Sequence, residues 1–460
     1  MSDTRPAPVD VIRSATERTG TTGGLARALD KVFPRHASFL WGEIALYCFV
    51  VLLASGTYLA LFFDASQAPT TYDGPYGPLQ GVEVSHAYAS VMRLSFEVRA
   101  GLVIRQIHHW AALLFVASIV LHMMRVFFTG AFRKPREINW VLGCTLLLLG
   151  LAMGFTGYSL PDDSLSGTGL RIADSVVLSI PVAGEWVSSL LFGGSWPSTI
   201  IVSRLFPIHV FVLPLALLGL IGGHLALVWR QKHTQFDGPG RTEDNVVGER
   251  VWPGFAMKSI GMLSLTAGTL AALGGFAQIN PIWLYGPYDP AASSADAQPD
   301  WYIGWLEGAL RLMPPLEIRA FGYTVPNPFF PGVLLPGLMF GALYGVPWIE
   351  RRFTQDHRVH HLLDRPRDAP VRTAIGVAAL SVVGVLLLAG AQDVIADTLS
   401  VPLATVRRLL QIGLLLVPAA SGWFTFRLAR SLARRDDPSV VEIRRGDSGG
   451  YAERPEASSR

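Results

Sequence analysis

The chain reads as an all-α polytopic membrane protein with eight transmembrane helices, and three observations lead there. Half of its 460 residues are hydrophobic, only 16% are charged and the mean hydropathy is +0.36, whereas a soluble domain carries about a quarter charged residues. The apolar residues gather into runs of about 20, the length that crosses a bilayer. The basic residues concentrate in alternate connections between those runs. The two cysteines, Cys48 and Cys144, both lie inside apolar runs, which excludes a disulfide framework, a zinc cluster and a Cys-ligated iron–sulfur centre. The N-terminus, MSDTRPAPVD, is polar and no apolar stretch precedes Phe39, so no cleavable signal peptide is expected.

Taken in order, the expected spans are A, Ser38–Phe63; B, Leu102–Thr129; C, Trp140–Leu160; D, Thr199–Trp229; E, Met257–Phe276; F, Phe329–Trp348; G, Thr373–Ala391; and H, Leu409–Leu428. Span D is long enough to tilt or protrude. The N-terminal segment, the B–C, D–E and F–G connections and the C-terminal tail hold most of the 38 Lys and Arg, which puts both termini in the cytoplasm. The opposite side is acidic, with Asp162, Asp163, Asp174, Asp289 and Asp300. The net charge of +3 is thereby an orientation signal, and no nucleic-acid binding is expected. Three outer connections (A–B, C–D and E–F) are long and contain amphipathic stretches such as Ser175–Leu191 and Trp301–Met313, and long loops in a compact architecture are usually functional. The expected divisions are 1–37, a cytoplasmic segment with an amphipathic stretch; 38–235, spans A–D; 236–433, spans E–H; and 434–460, a polar, mobile tail. No repeat with a period of 20–50 residues stands out.

Five of the eleven histidines lie in spans: His108, His109 and His122 on B, His209 and His224 on D. Ionisable groups at membrane depth are costly and functional by default. His108 and His122 are 14 residues apart, so they share a face about 21 Å apart along the axis. His209 and His224, 15 apart, also share a face, about 22 Å apart. B and D run in the same direction, so His108 can face His209 and His122 can face His224. Two stacked bis-imidazole sites suit two b-type haems, while zinc would need ligands that neither depth supplies. Spans A and C carry Gly42 and Gly56, Gly143 and Gly157, again 14 apart, where a flat macrocycle needs a backbone without side chains. Close helix packing through small residues is the alternative. Arg105, Arg125 and Arg204 lie three to five residues from these histidines and suit haem propionates. His109 points away from that face and reads as structural.

At this point the sequence resembles cytochrome b, the haem-bearing membrane subunit of quinol:cytochrome c reductases (cytochrome bc complexes). The histidine pairs, the glycine pairs, the segment Gly157-Tyr158-Ser159-Leu160-Pro161 and Pro299-Asp300-Trp301-Tyr302 carry the resemblance. The last of these corresponds to the family's outer quinol-site signature, usually Pro-Glu-Trp-Tyr. The resemblance spans roughly 39–428. The segments DDSLSGTGLRIAD, PDWYIGWLEGALRL and HLALVWRQKHTQF look most like the actinobacterial, QcrB type, with a shorter C-terminal extension.

The resemblance implies oxidation of quinol at an outer site, one electron passing to a Rieske iron–sulfur protein and the other through two haems to an inner quinone site, with protons released outside and taken up inside. It implies menaquinone as the quinone, a Rieske partner, a c-type cytochrome partner, a homodimeric complex in the bacterial plasma membrane and association with a terminal oxidase. Asp300 is the candidate proton acceptor, with Tyr302 and Tyr158 in the same pocket; the alternative is that Asp300 caps the helix beginning at Trp301. Glu307 and Arg311 read as weaker candidates on a wet helix face. Arg230, Lys232, His233 and Asp237 follow span D, where the family places inner quinone contacts. Tyr47-Cys48-Phe49-Val50 is similar to the plastoquinol-oxidising relatives, in which a cysteine binds an extra haem; the competing reading of Cys48 is a small hydrophobe in a packed helix. Two rivals remain at this stage, a haem b anchor of another quinone-linked dehydrogenase and a haem-free proton-coupled transporter.

Overall fold

The computed structural model describes residues 28–194, 196–292, 298–320 and 322–435, with the short strands Ile443–Arg445 and Tyr451–Glu453. Most of the expected N-terminal amphipathic segment and most of the polar tail lie outside the described residues.

Thirteen helices of eight residues or more carry the fold among the described residues. They are α1 (Leu40–Ala60), α2 (His86–Phe96), α3 (Gly101–Phe128), α4 (Glu137–Tyr158), α5 (Ser164–Leu178), α6 (Gly184–Phe192) and α7 (Ile201–Gln231). Then follow α8 (Ala256–Phe276), α9 (Trp301–Leu312), α10 (Leu335–Thr354), α11 (Pro370–Gly390), α12 (Gln392–Leu399) and α13 (Leu403–Arg435). Eight helices, corresponding to spans A–H, are long and apolar enough to cross a membrane. The ends differ from the apolar runs by a few residues. Span H extends to Leu403–Arg435 because helical hydrogen bonding continues through arginines beyond the hydrocarbon depth, whereas hydropathy marks only the part inside it.

The helices bury their faces pairwise. α1 packs on α3, α4 on α7 and α11 on α13, while α8 lies against α1 and α3. Indole N–H groups tie neighbours together: Trp110 of α3 donates to the Ala277 carbonyl after α8 (2.7 Å), and Trp140 of α4 to the Leu343 carbonyl on α10 (2.8 Å). The main apolar cluster includes Phe49, Phe115, Cys144 and Leu217; Phe49 and Phe115 stack at 5.9 Å. Large apolar side chains such as Phe211, Phe276 and Leu415 face outward, as lipid-facing positions of a membrane bundle do.

Three short helices, α2, α5 and α6, and the amphipathic α9 gather at one end of the bundle. Asp163 starts α5 with a capping box, its carboxylate accepting from Ser166 N at 3.1 Å. α9 is pressed onto α11 through glycine: a Cβ on Gly308 would lie 1.8 Å from the Leu386 carbonyl oxygen. Such an approach of two backbones admits no side chain, and it fixes where the helix after Asp300 sits.

One feature of α7 decides the histidine geometry. Its first two turns end in a π-helical segment, Ile208–Val212, which inserts one extra residue into the helical count. Fourteen residues bring an α-helix back to within about 40° of the same face, while fifteen overshoot by about 60°. The π turn absorbs the surplus residue, so His209 and His224 share a face as His108 and His122 do.

Candidate functional site

The four histidines meet in two tiers. The rings of His108 and His209 face each other with centroids 6.3 Å apart and planes at 71°; those of His122 and His224 are also 6.3 Å apart, at 73°. Two metal–imidazole nitrogen bonds of about 2.1 Å each would span roughly two thirds of that gap, the ring radii the rest. Among the described residues no group of three or more His, Cys, Asp or Glu side chains could hold a metal ion. Each tier therefore suits a metal that brings its remaining ligands with it.

Hydroxyls set the tautomers of one tier. Ser55 Oγ lies 2.6 Å from the Val51 carbonyl and 2.9 Å from His108 Nδ1. Its single proton goes to the carbonyl, so the imidazole Nδ1–H is the donor and Nε2 keeps its lone pair. Thr156 repeats this for His209: Oγ1 donates to the Ala152 carbonyl at 2.9 Å and accepts from Nδ1 at 3.1 Å. The same offset of 101 residues relates Gly42 to Gly143, Ser55 to Thr156, Gly56 to Gly157 and His108 to His209; the π turn in α7 moves the last partner to His224. This internal duplication exceeds the short periods that mark solenoids, and the hydroxyls are found only through it.

The glycines make room for the rings. A Cβ on Gly56 would lie 3.0 Å from the His108 ring, on Gly42 3.1 Å from His122 and on Gly157 2.5 Å from His209. Gly143 faces open space and lines a cavity of about 90 Å³ beside His122 and His224, bounded also by Arg125, Arg136 and His233 and partly open to solvent. Arg105 is buried and donates to the Asn280 carbonyl at 3.0 Å; its Nε, like that of Arg125, is buried without a partner among the described residues. Arg125 lies over the Phe39 ring at 4.6 Å. Arg204 donates to the carbonyls of Ser189 and Leu190 at 2.9 and 2.7 Å, at the C-terminus of α6.

Beside the His108–His209 tier lies an acidic and aromatic cluster. Asp300 precedes α9 yet makes no side-chain cap to it. Both its oxygens lie 3.0 Å from Nε2 of His109, and Tyr302 Oη donates to Oδ2 at 3.0 Å. The side chains of His109 and Asp300 are only 15% and 16% exposed. Tyr302 is buried against Gly154, where a Cβ would meet its hydroxyl at 2.5 Å. Burial and the adjacent Asp300 carboxylate hold the Tyr302 hydroxyl well above the usual phenol range. Tyr158 lies within electrostatic reach of Asp163, Asp300 and Glu307.

Three residues set aside on sequence turn out to belong here. His109 does face away from the His209 ring, but toward Asp300. Glu307 and Arg311 are not on a wet face: their side chains are 12% and 20% exposed and pair at 2.5 Å. Arg311 also pairs with Asp393 of α12 at 2.8 Å. Among the described residues one Glu307 oxygen is buried without a partner, and burial pushes the Glu307 carboxyl up to about 7, against the pull of Arg311.

The residues at and beyond the end of α7 separate. His233 contacts the rings of Phe33 and Phe39 at 5.7 and 4.8 Å and lines the cavity. Burial, helped by Arg125, Arg136 and Lys31, lowers its imidazole to about 4, so it is neutral at physiological pH. Lys232 also lines the cavity, with Nζ donating to the Asp244 carbonyl at 3.1 Å; Arg230 and Asp237 are exposed. Arg136, passed over on sequence, closes this end by donating to the His360 and Lys232 carbonyls at 2.6 and 3.0 Å. Cys48 is fully buried in the main apolar cluster and does not line the cavity, a packing position as for a small hydrophobe.

An integral membrane bundle with two stacked, facing histidine pairs and an acidic helix start beside one of them has the architecture of the cytochromes b. Residues 113–287 match the family described as Cytochrome b(N-terminal)/b6/petB. The chain is 52% identical over 440 residues to the cytochrome b subunit of the cytochrome bc1 complex of Mycobacterium tuberculosis, covering 94% of this chain and 80% of that one. It is 51% identical to the Corynebacterium efficiens subunit, covering 91% and 77%, and 49% identical to that of Streptomyces coelicolor, also covering 91% and 77%. A solved structure titled hyperthermophilic respiratory Complex III shares the fold, with a TM-score of 0.67, 19% identity, and coverage of 91% of this chain and 99% of that one. The chain belongs to the cytochrome b subunits of cytochrome bc1 complexes.

Proposed function

We propose that the chain is the quinol-oxidising, electron-carrying subunit of a respiratory quinol:cytochrome c oxidoreductase. The observation that carries this reading is the pair of tiers, each with two imidazoles 6.3 Å apart and, at His108 and His209, Nδ1–H groups already committed to hydroxyls. His108 and His209 would hold an outer haem b, His122 and His224 an inner one. Gly42, Gly56, Gly143 and Gly157 leave room for them, and Arg105 and Arg125 keep buried, unpartnered nitrogens for their propionates. Arg204, engaged at the end of α6, has less freedom to serve. Bound there, the two haems supply a one-electron relay across the bilayer.

The protein's own groups handle the quinol. Asp300, held by His109 and Tyr302, accepts the proton of the quinol hydroxyl as a general base must, within hydrogen-bond reach. Tyr302 and Tyr158 keep their protons and serve as donors that orient the substrate. Glu307, like Asp300, lies within electrostatic reach of Tyr158. At the other end, neutral His233, with Lys232 and Arg136 nearby, is suited to meet a quinone; Arg230 and Asp237 contribute at most to the charge around it.

Two cysteines, both buried and free, cannot hold an iron–sulfur cluster, so the high-potential acceptor sits on a Rieske partner, and a c-type cytochrome follows it. We take menaquinone as the quinone, the dimeric complex as the working unit, a terminal oxidase as its neighbour, both termini as cytoplasmic and 38–235 as the haem-holding part. The outer release and inner uptake of protons then make the reaction a proton-translocating one. Reduced-minus-oxidised spectra and pyridine haemochrome analysis of the purified complex test this: two b-type haems per chain are expected. A haem-free chain overturns it.

A further inference from the structure

We propose that His109 is a positioning residue for quinol oxidation, holding the Asp300 carboxylate on the same helix that presents His108; this rests on the reading of Asp300 above.

A carboxylate immediately before a helix ordinarily turns back to accept the free amides of the first turn. Asp300 does not, although α9 offers those amides. Its two oxygens instead sit 3.0 Å from a single donor, His109 Nε2, on a helix far away in sequence, and Oδ2 takes the Tyr302 hydroxyl as well. Among the described residues Oδ1 is thus left with His109 as its one hydrogen-bond partner and retains lone-pair capacity for a substrate hydroxyl. Residues 108 and 109 are about 100° apart around α3. One therefore meets His209 while its neighbour meets α9, so a single rigid helix sets both positions.

The anchor also answers the shortened arm. The motif resembles Pro-Glu-Trp-Tyr, but this chain has aspartate. The shorter side chain has one rotatable bond fewer, so one fixed donor suffices to select its rotamer at a smaller entropy cost. The donor must reach it from outside α9, and His109 does.

The test uses the purified, haem-loaded complex, with steady-state quinol:cytochrome c activity and redox-triggered infrared difference spectra. His109→Leu is expected to lower kcat about 10- to 100-fold, the scale of misplacing a reacting group by about 1 Å, with KM little changed and both b-haem bands retained. The Asp300 carboxylate stretch should shift in the same variant. In an Asp300→Asn background, His109→Leu should cost nothing further, as for residues acting as one unit. His109→Gln, whose amide reaches as far as Nε2, should recover the rate to within about threefold of the parent, while His109→Asn, whose amide stops at the Nδ1 position, should not.

A His109→Leu complex at full rate, or losses that multiply in the double variant, overturns the proposal. If the leucine variant does not assemble with two haems, the Gln and Asn pair decides, and equal rates for the two overturn it. Should Asp300→Asn itself leave quinol oxidation intact, the fault lies with the outer-site reading rather than with His109.

Discussion

Ser55 Oγ accepts the Nδ1–H of His108 at 2.9 Å while donating to the Val51 carbonyl, and Thr156 does the same for His209. A ligand imidazole that donates its second N–H is a more basic ligand, and such outer partners tune a metal site strongly. His122 Nδ1 has no partner of this kind among the described residues. Ser55→Ala should therefore raise the midpoint potential of the haem proposed at His108 and His209, because the oxidised iron loses part of its electron donation. Thr156→Ala should act in the same direction and the pair together more. Redox titration of the two b bands checks this; a shift confined to the other haem would count against the assignment of tiers.

Gly143 and Gly157 lie 14 residues apart on α4 and differ in their surroundings. A Cβ at Gly157 would meet the His209 ring at 2.5 Å, whereas one at Gly143 would meet no protein atom within 4 Å. Gly157→Ala is expected to displace the His209 ring, with an overpacking cost of about 1–3 kcal/mol, and to lower outer haem occupancy. Gly143→Ala should leave the folded chain's stability unchanged without haem and disturb only the loaded inner tier. Thermal unfolding of apo and haem-loaded protein, with haem counts per chain, separates the two cases.

Much of this arrangement was legible in the sequence, for physical reasons that also mark where legibility stopped. The eight spans follow from hydrocarbon thickness, and the histidine tiers from helical repeat. The equal phase of His209 and His224 at a spacing of 15 was a correct expectation with an incomplete cause, since the π turn at 208–212 makes it hold. His109 was legible only as facing away from His209: helical phase says where a side chain points, not what waits there. Glu307 and Arg311 matched the pattern of an exposed i,i+4 pair, and only the packing of α9 on α11 and α12 shows them enclosed.

The π turn can be tested directly. Deleting Phe211, which is 61% exposed and packs little, should convert the segment to α-helix, leave 14 residues between the α7 histidines and preserve both haems. Deleting one residue of α3 between His108 and His122, where no π turn exists to absorb the change, should rotate His122 by about 100° and cost the inner haem. Haem counts per chain read both variants. Loss of a haem in the Phe211 deletion would show that the turn is needed for more than register.

Glu307 yields a prediction about pH. Its carboxyl is raised by burial from 4.5 to about 7, so between those values the folded chain binds more proton than the unfolded one. Stability then falls as pH rises through that window and levels off above it. The stabilisation is fully present below the unfolded value and is lost as the carboxyl ionises in place, with one oxygen on Arg311 and the other without a partner. Glu307→Gln keeps the shape and cannot ionise, so the thermal midpoint of the variant complex should vary less with pH from about 5 to about 7 than that of the parent. Arg311→Met should steepen the dependence and move its upper limit to higher pH, because the cation that favours the carboxylate is gone. Thermal melts of the purified complex across this range check both slopes; parallel curves for parent and Glu307→Gln would mean that the carboxyl stays ionised at neutral pH in the folded protein.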